Sequence, residues 1–186
     1  MPDAFLVKPP FRQVVVATDG SDLAAVAIKG GSLLASRIGA ALHVFHASSD
    51  LPTEALVEKQ AVELLEPATY QLATHEVPPD GSPADTIAAY ATALGSAVIV
   101  VGTHGRGGMG TTLLGSTAVR LVGQPDRPLL AYGPGAAPPT EISRVIACVD
   151  GAEFSELSLK EVPAGLEPWE PSCGSSRWFR QGFLST

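Results

Sequence analysis

The sequence is poor in cysteine, in positive charge and in long apolar runs, and each shortage excludes a class of protein. Two cysteines in 186 residues are too few for a disulfide framework or a cysteine-based metal site. Twelve Lys and Arg against nineteen Asp and Glu give a net charge of −7, which disfavours binding to nucleic acid or to an anionic membrane surface. The apolar runs are far shorter than the roughly eighteen residues of a spanning helix. We therefore expect a cytoplasmic protein without nucleic-acid or membrane partners.

What the sequence does contain is typical of a globular α/β domain, with 45% hydrophobic and 17% charged residues. Compact β-branched runs alternate with segments in which apolar residues recur at helical spacing. Ser21 and Ser82 are suited to cap helices at their N-termini, and Gly39 is suited to end one. Strands are predicted at 13–18, 42–47, about 72–77, 97–101 and 128–132, and helices at 22–37, 54–66, 83–94 and 116–122.

This alternation predicts a doubly wound, five-stranded parallel sheet with helices on both faces, a Rossmann-like α/β fold. We expect the strand order 3-2-1-4-5, in which the first and fourth strands are neighbours. The chain then winds in opposite directions from that pair, and ligands bind at the carboxyl ends of strands beside such a switch point. Asp19 follows the first strand and Gly102 follows the fourth, so we expect both at one crevice.

The stretch "VGTHGRGGMGTTLLGS" after the fourth strand is crowded with glycine and fits three phosphate-binding patterns. Gly105, Gly107 and Gly110 satisfy the dinucleotide fingerprint GxGxxG, but that fingerprint follows the first strand of its fold, not the fourth. The nucleotide-hydrolase pattern GxxxxGK[ST] fails because Thr111 stands where the phosphate-binding lysine belongs. A third spacing of glycines in this stretch, given below, remains to be considered.

The chain also repeats part of itself. The segment "RVIACVDGAEFSELSLK" at 144–160 aligns without a gap with "QVVVATDGSDLAAVAIK" at 13–29. We therefore divide the chain into an N-terminal extension, a complete domain, the start of a truncated second copy and a degenerate tail, at 1–10, 11–137, 141–160 and 161–186. A tail read in a shifted frame and a genuine C-terminal extension are the two explanations for the last part.

With "VVVATDGS" closing the first strand and "GTHGRGGMGTTLLGS" closing the fourth, the chain resembles the universal stress protein family over about 11–134. Members of that family that bind ATP carry Gly, two residues, Gly, nine residues, and Gly followed by Ser or Thr. Gly102, Gly105, Gly115 and Ser116 meet this spacing in full. The resemblance implies a stress-response regulator or sensor that holds ATP with Mg²⁺ and hydrolyses it slowly or not at all.

Elementary geometry gives each motif residue a role in such a site. Gly102 would let the backbone pass close to a ribose, where a Cβ would collide. Gly105 and Gly115 would direct backbone N–H groups at phosphate oxygens. Ser116 and Thr117 stand at the start of the following helix, where unpaired donors and the helix dipole favour an anion.

Further contacts are expected from the loop and from the first two strands. Arg106 would add a charge-assisted contact to a phosphate. The resemblance implies that Asp19 accepts from the ribose or the adenine, that Ala17 and Thr18 line the pocket, and that Val44 meets the adenine through its backbone.

Two rival functions remain open. The first is a dimerising interaction module with an unoccupied pocket, since family members commonly pair through the last strand into homodimers. The second, an enzyme of the related adenine-nucleotide-binding class, would need catalytic groups. We assign neither catalytic nor metal-binding residues: His104 lies within the motif, but no acidic partner or nucleophile is fixed near it in sequence. Autophosphorylation on a loop Ser or Thr stays open.

Overall fold

The architecture was obtained as a computed structural model, which describes residues 11–48, 51–104, 114–124 and 127–142. Strands and helices alternate throughout these ranges. The repeated segment at 144–160 and the tail after it lie outside the described residues. The elements are β1 (Gln13–Ala17), α1 (Asp22–Ile38), β2 (Ala41–Ala47), α2 (Leu51–Leu65), β3 (Gln71–His75), α3 (Pro83–Leu94), β4 (Ala97–Gly102), α4 (Ser116–Val122) and β5 (Leu129–Tyr132).

The five strands form one parallel sheet in the order β3-β2-β1-β4-β5, which confirms the predicted doubly wound topology. Each predicted element is present within a few residues of its expected bounds. The helix α2 begins three residues earlier than predicted, at Leu51, because the proline that follows can occupy the first turn, where its missing N–H is not needed. The strand β3 ends at His75, level with the last residue of β2, so it has no neighbouring strand to pair with beyond that point.

Alternate residues of the central strands feed two separate cores, one on each face of the sheet. Val14, Val16 and Val44 are fully buried under α1 and α2. Val15 and Phe45 are fully buried under α3 and α4. Strands buried on both faces explain why their sequences are nearly continuous apolar runs.

The helix α1 carries two adjacent glycines where it packs on the sheet. A Cβ on Gly31 would overlap Val16 of β1, and a Cβ on Gly30 would overlap the ring of Tyr132 of β5. The close approach fixes the first turn of α1 relative to β1 and β4. This placement matters because the same first turn borders the predicted crevice.

Candidate functional site

The carboxyl ends of β1 and β4 lie side by side at the switch point of the sheet. Ala17, the last residue of β1, is paired with Val101 of β4 and with Phe45 of β2. Its side chain is buried in the core under α3 and α4, so only its backbone contributes to the crevice. From this point α1 leaves over one face of the sheet, and α3 and α4 cover the other. The edge between them is the expected crevice.

The turn after β1 is held by its own side chains. The Oδ1 atom of Asp19 accepts from the Ser21 N–H at 3.0 Å, and the hydroxyl of Thr18 accepts from the Gly20 N–H at 3.1 Å. Gly20 has a φ of 78°, a backbone conformation in which glycine is favoured. Ser21 caps α1 by accepting from the Ala24 N–H at 3.2 Å, as predicted. Asp19 therefore shapes the turn, and its predicted contact with the ribose or the adenine stays a prediction.

Gly102 packs directly against the first turn of α1. A Cβ at this position would lie 3.1 Å from Cγ of Leu23 and 3.5 Å from the backbone nitrogen of Ala24. The crevice is therefore narrow between β4 and α1. The packing of α1 is thus one reason for glycine at position 102, and the predicted close approach of a ribose is another.

The glycine loop begins and ends beside Thr103, the residue after β4. The N–H of Gly115 donates to the carbonyl oxygen of Thr103, and a Cβ on Gly115 would lie 3.0 Å from that oxygen. This bond closes the loop, and the predicted contact of Gly115 with a phosphate stays a prediction. Thr103 is buried, and its hydroxyl lies 3.0 Å from Nδ1 of His104. Gly105 and Arg106 lie outside the described residues, so their predicted contacts stay predictions.

Closure of the loop places the start of α4 at the end of β4. Gly115 is the N-cap of α4 and provides no side-chain cap. The first bond within the helix runs from Val119 to Gly115, so the N–H groups of Ser116, Thr117 and Ala118 precede the intrahelical ladder. Ser116 is exposed and Thr117 half-buried. The structure thus brings Gly102, Gly115, Ser116 and Thr117 to one edge of the sheet.

An exposed ion pair joins α4 to α3. Arg120 contacts Asp85 at 2.9 Å, and the Ser82 hydroxyl donates to the same carboxylate at 2.8 Å. The hydrogen bonds from Ser82 and Arg120 lower the pKa of Asp85 below its usual value. The acid therefore stays ionised and keeps both partners over the pH range in which proteins normally work.

Val44 is not brought to the crevice. It is fully buried in the middle of β2, opposite Val16 of β1 and Leu72 of β3. Contact between its backbone and an adenine stays a prediction that this depth does not favour.

Strand register identifies Ala47 as the β2 residue that reaches the crevice. The N–H and C=O of one strand residue point to the same neighbouring strand, and those of the next residue point to the opposite one. The Phe45 carbonyl accepts from Thr18 on the β1 side, and the Ser48 N–H donates to His75 on the β3 side. By the same alternation the N–H and C=O of Ala47 point to the β1 side, at a level where β1 has already ended. Ala47 was not among the residues predicted from the sequence, because the position of this residue relative to the crevice depends on how far β2 extends beyond the end of β1.

Buried histidines lie on both faces of β2. His43 is 2% exposed, with Nδ1 3.0 Å from the Tyr90 hydroxyl and Nε2 2.8 Å from Oε1 of Gln13. Burial lowers the pKa of His43 and raises that of Tyr90, so both are neutral at neutral pH. Tyr90 stacks on Phe45, and this polar pair therefore belongs to the core rather than to the crevice.

The described ranges of the chain contain no cluster of three His, Cys, Asp or Glu side chains arranged to hold a metal ion. In the same ranges no helix combines the length and the apolarity that a membrane crossing requires.

The comparison with known families decides the identity of the fold. The model of the universal stress protein family matches residues 10–132, which include all five strands and the glycine loop. The chain belongs to the universal stress protein family. None of the curated protein sequences matches it significantly.

Solved universal stress proteins share the architecture at low sequence identity. The protein UspA from Lactobacillus plantarum is 19% identical, with 65% of this chain and 97% of that chain covered and a TM-score of 0.51. A universal stress protein from Archaeoglobus fulgidus is 21% identical over 65% and 97% of the two chains, with a TM-score of 0.52. A second, from Archaeoglobus fulgidus DSM 4304, is 24% identical over 70% of this chain and 48% of that chain, with a TM-score of 0.55. At these identities the structural likeness establishes the fold.

Proposed function

We propose that this universal stress protein binds ATP, accompanied by Mg²⁺, in the crevice between the ends of β1 and β4. In this role it is a stress-response regulator or sensor that retains the nucleotide rather than turning it over efficiently. The observation that carries the proposal is the bond between Gly115 and Thr103. It returns the chain to β4, so that Gly102 and Ser116, which are fourteen positions apart in the motif, meet at the switch point.

Local donors must hold the phosphates because the net charge of −7 repels them. The N–H groups of Ser116 and Thr117 at the start of α4, together with the Thr117 hydroxyl, are suited to this task. Asp19 would accept from the ribose, and the Ala47 peptide group would meet the adenine edge. The Mg²⁺ ion would arrive with the nucleotide, whose phosphate oxygens are its preferred ligands.

Retention rather than rapid hydrolysis follows from the chemistry of the loop. Thr111 occupies the position of the lysine that neutralises the β- and γ-phosphates in hydrolase loops. Without that charge the transition state for phosphoryl transfer is less stabilised.

Ligand release and titration test the proposal together. Acid should release an adenine nucleotide from the purified protein, and calorimetric titration with ATP and Mg²⁺ should saturate at one site. A protein that yields no adenine nucleotide and gives no saturable binding would contradict it.

A charge variant supplies the matched control. Ser116→Asp should abolish binding by repelling the phosphates while leaving α4 intact, because an acidic residue at a helix N-terminus is favourable. Gln124→Glu adds the same charge just beyond the other end of α4 and should bind normally. Equal affinity in the two variants would remove the start of α4 from the site.

A second function, homodimerisation through β5, is favoured by the surface beside that strand. β5 is at the edge of the five-stranded sheet described, and on the adjacent helix Val119 and Val122 are 52% and 61% exposed. These two side chains are one turn apart on the same face of α4. Light scattering should give twice the monomer mass, reduced to the monomer mass in Val122→Lys. A monomer at all concentrations would refute this function.

A further inference from the structure

Gln60 of α2 reaches across to the turn that follows β1, although the two are about forty residues apart in the chain. Its Oε1 atom accepts from the Thr18 hydroxyl at 3.3 Å. Its Nε2 atom donates to the carbonyl oxygens of Gly20 at 3.4 Å and of Ser21 at 3.3 Å. One half-buried side chain thus contacts Thr18, Gly20 and Ser21 of the turn.

The direction of each bond is set by its partners. Carbonyl oxygens only accept, so the amide nitrogen of Gln60 must face Gly20 and Ser21, and its oxygen must face Thr18. The Thr18 hydroxyl then donates its single hydrogen to Gln60 while its lone pair accepts from the Gly20 N–H. The network is therefore fully consistent in only one orientation of the carboxamide.

The strand β2 also contacts the turn at 18–21, through His46. Nδ1 of His46 lies 2.8 Å from the Thr18 carbonyl oxygen, so this nitrogen carries the proton and donates. His46 is 3% exposed, and its buried Nε2 atom has no hydrogen-bond partner among the residues that the structure describes. The ring is thus fixed by its one bond to Thr18. Because Gln60 and His46 both contact the turn, the position of the Asp19 carboxylate depends on α2 and β2 as well as on β1.

We propose that Gln60 is a positioning residue of the nucleotide site, which holds the turn at 18–21 so that Asp19 faces the crevice in the orientation a ribose or adenine requires. This inference rests on the proposed function for its ligand. Its structural part, the restraint of the turn by α2, concerns the nucleotide-free protein and is measurable without any ligand.

Three variants of the full-length protein test it. Gln60→Met keeps the length of the side chain and removes all three hydrogen bonds, whereas Gln60→Glu keeps the acceptor and replaces the donor by a carboxylate facing two carbonyl oxygens. Glu58→Met, at an exposed position on the same helix, is the control. The first readout is amide hydrogen exchange of Gly20 and Ser21 without nucleotide, and the second is the dissociation constant for ATP with Mg²⁺.

We expect faster exchange at both amides in Gln60→Met and an ATP dissociation constant raised about tenfold, the scale of one lost net hydrogen bond. Gln60→Glu should bind more weakly still at pH 8. Its deficit relative to wild type should shrink at pH 5, because a protonated carboxyl can again donate to Gly20 or Ser21. A side chain that only fills space would show no such recovery.

The failures of the two proposals are distinguishable. Wild-type affinity and wild-type exchange in Gln60→Met would overturn the positioning role and leave ATP binding standing. Absence of ATP binding by the wild type would overturn the proposed function, and the exchange rates alone would then decide whether Gln60 restrains the turn. Equal effects of Gln60→Met and Glu58→Met would also refute the inference.

Discussion

Replacing Gly102 by alanine separates two reasons for having glycine at the end of β4. One is the packing of α1, since the new Cβ would lie 3.1 Å from Cγ of Leu23. The other is the proposed approach of a ribose to the backbone. The first affects stability and the second affects affinity, so the same variant measures both.

The cost in stability is expected to be small. The Cβ is a few tenths of an ångström too close to Leu23, and the Leu23 side chain can move away by a torsion change that costs about 0.5–1.5 kcal/mol. Its contacts with the Leu23 carbonyl carbon and the Ala24 nitrogen, at 3.4 and 3.5 Å, are ordinary. Thermal unfolding should therefore show a Tm lowered by about 2–4 °C for each kcal/mol lost.

The cost in affinity is expected to be large. A ribose packed on Gly102 would have to move by the radius of a methyl group, and we expect ATP to bind at least about tenfold more weakly, or roughly 1.4 kcal/mol. In a Leu23→Ala background the stability cost of Gly102→Ala should vanish while the loss of affinity remains. Unchanged affinity would refute the ribose contact. A stability loss that persists without the Leu23 side chain would refute the packing account.

Three further predictions concern the scaffold. Burial depresses the pKa of His43 below the unfolded value of 6.5. Its contribution to the free energy of unfolding is therefore complete above pH 6.5 and is lost as pH falls toward the folded pKa. Between pH 7 and pH 5 the free energy of unfolding, measured with denaturant, should decline less in His43→Gln than in wild type. Gly31→Val should lower the free energy of unfolding by about 1–3 kcal/mol because its Cβ overlaps Val16, and an unchanged urea midpoint would refute that contact. Asp85→Asn should lower the Tm slightly at low salt and not at high salt, because the partner Arg120 is exposed and salt screens the ion pair. In wild type the ion pair should lose its contribution to the Tm only as pH falls through the lowered pKa of Asp85.

The fold was predictable because its signals are local. Strands buried on both faces read as continuous apolar runs, and Ser21, Ser82 and Gly39 mark helix ends through contacts with residues a few positions away. The alternation of elements and the rules for parallel crossovers predicted a doubly wound sheet, whereas the order 3-2-1-4-5 is one of several that satisfy those rules and is established by the strand pairing of the structure.

The details of the site were not predictable from the same signals because they depend on contacts distant in sequence. The hydrogen bonds of Gln60 to the turn join residues about forty positions apart, and no periodicity of the sequence predicts them. The position of Ala47 beyond the end of β1 depends on the relative lengths of β1 and β2. The bond between the Gly115 N–H and the Thr103 carbonyl oxygen joins the two ends of the glycine loop, which are twelve positions apart.

The central claim is that ATP binds at the carboxyl ends of β1 and β4. Backbone amide chemical shifts of the isotope-labelled protein, recorded during addition of ATP and Mg²⁺, test it most directly. We expect saturable changes at the turn 18–21, at Ala47, at Gly102 and Thr103, and at the start of α4. Changes confined to the opposite edge of the sheet, or no saturable changes at all, would contradict the claim.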